Sequence, residues 1–116
     1  MEIENKNCKS GIIFPLPEHV KNFAIRAVEQ VHQCPNDKHS AELLVESILK
    51  ITDHGLDYVY LYPLELAQVG VIGKNTVKFG VNAAKAGISV VVKKIIGSLR
   101  GERLKAMACF VESIIV

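Results

Sequence analysis

The chain has 116 residues, 49% of them hydrophobic and 22% charged, with a formal net charge of +2. That length suits a single buried core and is too short for two ordinary domains, and the composition excludes wholesale disorder. The most apolar stretch, residues 69–99, is interrupted by Lys74, Lys78, Lys85, Lys93 and Lys94, which excludes a membrane span of about 20 predominantly apolar residues.

Residues 1–16 are expected to form an N-terminal extension and residues 17–116 a single helical domain. The opening Met1-Glu2-Ile3-Glu4-Asn5-Lys6 lacks the basic start and immediate apolar run of a secretory signal, so a cytoplasmic protein is expected. Of the extension, Met1 to Ser10 looks poorly tied down. Pro17 then sits where a first helical turn tolerates proline, and Val20, Phe23, Ala24, Ala27, Val28 and Val31 follow at helical spacing. This first amphipathic helix ends at Pro35. Asn36 or Asp37 supplies the next N-cap, because a short side-chain oxygen satisfies the free amides of a first turn.

The second helix is expected from Asp37 to about Tyr62. Ala41, Leu44, Val45, Ile48, Thr52, Gly55, Val59 and Tyr62 keep one helical phase through the glycine, while Glu42, Glu46, Lys50, Asp53 and Asp57 keep another. A bend at Gly55 and a stop at Pro63, followed by a short turn of helix to Val69, complete this element. Gly70 and Gly73 mark a connection, and Lys74 or Asn75 opens a third long helix with Val77, Val81, Ala84, Ile88, Val91 and Ile95 on its apolar positions. Asn75, Lys78, Asn82, Lys85, Ser89 and Lys93 form its polar stripe. It ends between Gly97 and Gly101. A last helix from Glu102 to about Ile115 is expected to turn Leu104, Met107, Ala108, Val111, Ile114 and Ile115 inward. The fold class is therefore all-α: a small antiparallel four-helix bundle with two long and two shorter helices.

Charge is distributed unevenly. Residues 1–73 carry six Lys and Arg against ten Asp and Glu, and residues 74–116 carry eight against two. Such asymmetry points either to an anionic partner or to two halves that face each other.

Motifs for chemistry are weak. Gly70-Val71-Ile72-Gly73-Lys74-Asn75-Thr76 lacks the first glycine and the hydroxyl residue of a phosphate loop. Val71-Ile72-Gly73-Lys74 resembles the Gly-x-x-Gly turn of KH-type RNA-binding domains, with Tyr58 to Tyr62 in place of that family's first strand and Glu102 to Ile115 in place of its last helix. Thr76 stands where the second glycine belongs, and residues 88–97 are too few for the two strands and reversal that fold requires, so membership is not assigned. Glu29 and His32 form an ExxH pair, but a carboxylate-bridged metal site also needs a second such pair and two further glutamates, and only the reversed His39 and Glu42 are present. His32, Cys34 and His39 lack zinc-ligand spacing. His54 lies between Asp53 and Asp57, an orientation suited to general-base work, without a nucleophile motif to serve. Cys8, Cys34 and Cys109 lack a CxxC pair and are expected as reduced thiols.

No enzyme, cofactor or metal is therefore expected. The sequence points to a small interaction or assembly protein, a homodimer with room for a protein partner. Gly80, Ala84 and Gly87 form a possible self-association face because small residues let helix backbones approach closely. The alternative is binding of an anionic surface, nucleic acid or membrane, through the Lys-rich face of residues 74–105, with Lys78, Lys85, Lys93, Lys94, Arg100 and Arg103 as its contacts.

Overall fold

A computed structural model describes residues 13–115, and the Met1 to Ser10 expectation lies outside them. The chain forms a small all-α four-helix bundle with two long and two shorter helices. Helix α1 spans Glu18–Gln33, and α2 spans Lys38–Leu56. The second helical path then continues through a π-helical turn, Asp57–Leu61, into α3, Tyr62–Leu66. Helix α4 spans Val71–Ile95, a 3-10 turn covers Ile96–Ser98, and α5 spans Glu102–Ile114.

Three helices make the core. Ala24, Val28 and Val31 of α1 meet Ala41 and Leu44 of α2 and Leu104, Ala108 and Val111 of α5 in one buried cluster. Six of these eight side chains are alanine or valine, so the helices pack closely, and Leu44 and Leu104 fill the remaining space. Ser40 and Ser47 are fully buried beside them. Their hydroxyls donate to the Gln30 carbonyl at 3.4 Å and the Leu43 carbonyl at 3.1 Å, so neither polar group is left unpaired.

Local chemistry sets the boundaries. Asp37 is the N-cap of α2, its carboxylate accepting the His39 amide at 3.0 Å. Gly55 lies inside the helix, where the Phe14 ring rests on it: an added Cβ would meet Phe14 Cζ at 3.0 Å. Phe14 also packs against Tyr58, with ring centroids 6.1 Å apart. Pro63 does not stop the helix. Its ring would collide with a carbonyl four residues back, and the π-helical turn just before it, in which the Tyr62 amide donates to Asp57 five residues back, widens the path enough to admit it. The helix ends instead at Gln68, in left-handed conformation with φ 56°, where the Gln68 and Val69 amides donate to Glu65 and Leu64.

Helix α4 runs antiparallel to this long path. Asp57 lies opposite Lys85, Leu49 opposite Lys93 and Val45 opposite Gly97. It starts at Val71, three residues before the expected opening, so Gly73 falls in its first turn. Val81 is its one buried side chain. Val77 and Ile88 are half-buried as expected, whereas Ala84, Val91 and Ile95 face solvent. On α5, Leu104, Ala108 and Val111 are buried, Met107 and Ile115 half-buried, and Ile114 exposed. The connection from α4 to α5 is clasped to the α1–α2 turn, because the Gly101 amide donates to the Pro35 carbonyl at 2.8 Å.

Gly101 and Gln68 give opposite stability outcomes. Gly101 has φ 63° and ψ −133°, a region open essentially to glycine alone, and an added Cβ would sit 3.3 Å from Asn36 Oδ1. Gly101→Ala is expected to cost about 2 kcal/mol, whereas Gln68→Gly relieves a left-handed non-glycine residue and adds about 1 kcal/mol. Urea unfolding followed by circular dichroism measures both.

Candidate functional site

The polar stripe of α4 faces the acidic flank of the long antiparallel path. Lys85, with its side chain 22% exposed, donates to Asp57 Oδ1 at 2.8 Å. Lys93 lines an open groove of about 580 Å³ with Glu42 and Glu46, over a floor that includes Val45 and Leu49. Lys74 and Lys78 line a second cavity with Glu65. One of these lysines, Lys85, thus makes an ion pair across the two helices, and the others share cavities with carboxylates along the same side. Glu46 also pairs with Lys50 at 3.7 Å, and Lys50 lies 5.4 Å from the Phe23 ring centre.

The expected anion contacts are not gathered on one surface. Lys78 and Lys93 stand exposed on the side toward the carboxylates, Lys85 is turned inward, and Lys94 points to the far side of the helix. Arg100 is half-buried and donates to the carbonyls of Gly97 at 2.8 Å and Leu99 at 2.6 Å, capping the 3-10 turn that follows α4. Arg103 is exposed on α5.

The opposite half of α4 is apolar and open. Ile72, Thr76, Phe79, Ala83, Ala86 and Val90 recur at alternating steps of four and three along its outer side, and all six are exposed. Ile72 is 84% exposed, Phe79 79% and Val90 66%. The Thr76 hydroxyl donates to the Ile72 carbonyl at 2.9 Å, so its polar atom is satisfied within the helix and its methyl joins the apolar strip. Gly80, Ala84 and Gly87 lie along one edge of this strip; an added Cβ at Gly80 or Gly87 would meet nothing within 4 Å. Alternation of four and three is the spacing of a helix seam built to meet another helix. The small-residue edge is legible from its spacing in the sequence; the strip has the same spacing, but on a helix apolar around most of its circumference periodicity does not single it out.

The remaining candidate constellations stay apart. His32, Cys34 and His39 are exposed, as is Cys109, and among the described residues no group of three or more His, Cys, Asp or Glu could hold a metal ion. Cys8 lies outside the described residues. His54 lines an open cavity of about 570 Å³ with Asp57, Tyr58 and Tyr62, but the short contact of Asp57 is to Lys85. Tyr58 and Tyr62 stack at 5.5 Å, a packing contact across the π-helical turn. Among the described residues no helix is long and apolar enough to cross a membrane. Compared with protein-family models, curated proteins and solved structures, the chain matches none.

Because Asp57 is 47% exposed, solvent screens the Lys85–Asp57 pair. A double-mutant cycle of Lys85→Met and Asp57→Asn is expected to give a coupling of about 0.5–1 kcal/mol that falls toward zero in 1 M salt.

Proposed function

We propose that this chain is a small helical assembly module that associates with a second copy of itself through the outer side of α4. The observation that carries this reading is the open strip from Ile72 to Val90. From Ile72 to Val90 the helix rises about 27 Å, and a strip of that length about one helix diameter wide covers on the order of 300 Å², the lower end of the apolar patches that mark interaction sites on soluble proteins. Two such strips together fall below the size of permanent interfaces, so the association is reversible and depends on concentration.

The anionic-surface reading is less supported. A polyanion or charged membrane rewards a field gathered on one side of a protein. Here Lys85 is paired with Asp57, Lys93 shares a groove with Glu42 and Glu46, Lys74 and Lys78 share a cavity with Glu65, and Arg100 is occupied with backbone carbonyls. The compositional asymmetry is in large part internal to the fold.

Light scattering after size-exclusion chromatography tests the proposal. The native chain is expected to move from monomer toward dimer as concentration rises through the micromolar range. Phe79→Glu and Val90→Glu each place a charge in the strip and are expected to hold the chain monomeric, weakening association at least tenfold with circular dichroism unchanged, because both positions are solvent-exposed. A native chain that remains monomeric at 1 mM, or variants that dimerise as well as the native chain, would reject it.

A further inference from the structure

We infer that the second copy docks antiparallel, with the twofold axis passing between Phe79 and Ala83. This rests on the self-association reading above and adds to it a direction and a register. The strip carries the information. Its steps of four, three, four, three and four, from Ile72 through Thr76, Phe79, Ala83 and Ala86 to Val90, read the same from either end. A twofold interface uses one patch twice, so an antiparallel helix pair needs a strip that matches its own reverse.

Side-chain size matches under that reversal. Ile72 meets Val90 of the second copy, Thr76 meets Ala86, and Phe79 meets Ala83. The bulkiest group on the strip therefore falls on one of its smallest, a knob entering a shallow hole. Thr76 enters without an unsatisfied hydroxyl because its donor is already used on the Ile72 carbonyl. The glycine edge at Gly80 and Gly87 leaves room for the second helix backbone.

Charge selects the same direction. A parallel pair would bring Lys94 of both copies together at one end, two ammonium groups with no acidic residue on α4 to offset them. In the antiparallel register Lys94 of one copy lies about 39 Å along the pair from Lys94 of the other, several Debye lengths away. Opposed helix dipoles favour it further.

Site-directed cross-linking separates the directions. In a background with Cys8, Cys34 and Cys109 replaced by serine, Thr76→Cys and Ala86→Cys are made singly and treated with a short bis-maleimide. An equimolar mixture is expected to give a covalent dimer joining one chain of each kind, resolved by mass, at least tenfold faster than either variant alone. In this register equal positions 76 lie about 15 Å apart along the pair, beyond the linker. Rapid cross-linking of each variant with itself would show a parallel pair and overturn the register while leaving self-association intact. Dimer by light scattering with slow cross-linking in every sample would place the contact elsewhere and overturn the register. Monomer by light scattering would remove the underlying reading as well.

Discussion

The unbroken helical path from Lys38 to Leu66 is the constraint on which the rest of the molecule depends. One side of it supplies a wall of the core formed with α1 and α5, and α4 lies antiparallel along another side, from Val45 to Asp57. A rod of that length cannot fold back to wrap both partners into one centre. The molecule is accordingly drawn out, with a radius of gyration of 16.4 Å and extents of 48 × 36 × 24 Å, against about 13 Å for a compact domain of similar size. Continuity past Pro63 is what keeps the rod whole, and the π-helical turn is the local distortion that permits it.

Attachment of α4 to this rod is selective in charge and sparing in hydrophobic contact. Asp57 pairs with Lys85, and carboxylates lie along the same side as Lys93, Lys74 and Lys78, so opposite charges accompany the edge of the helix that meets the rod. Exposed ion pairs contribute little free energy each, and Val81 is a single buried side chain, so specificity here exceeds strength. The apolar half of α4 is left facing outward, away from that edge.

Much of this architecture is legible in the sequence. The helix-forming spacing of α1, the cap at Asp37, the stop at Pro35 and the continuation of α2 through Gly55 follow from local propensity and period, and the structure has each of them. Non-local contacts decided the rest. Gly55 stays inside α2, and Phe14, forty residues away in sequence, is seated on it. Pro63 signals a stop, yet widening of the preceding turn removes the clash that would enforce one. On α4 the expectation that Ala84, Val91 and Ile95 lie inward failed because the helix is apolar around most of its circumference. Periodicity then defines a polar side without saying which apolar side is covered, and the cross-helix pair of Lys85 with Asp57, invisible within α4 alone, marks the side that meets the rod. The same ambiguity leaves the exposed strip from Ile72 to Val90 unmarked in the sequence.

The single buried side chain on α4 also divides the molecule into parts that open at different free energies. Lifting α4 from the rod exposes Val81 and a few half-buried neighbours, whereas separating α1, α2 and α5 exposes Leu44, Leu104, Val31 and Val111 together. Amide protons of residues 71–95 therefore reach exchange with solvent through a partial opening, while those beneath the core wait for global unfolding. The chain behaves as a firm three-helix unit carrying a loosely held fourth helix. A second copy bound to the outer strip would slow exchange in that fourth helix first, since it covers the part of the fold that the monomer protects least.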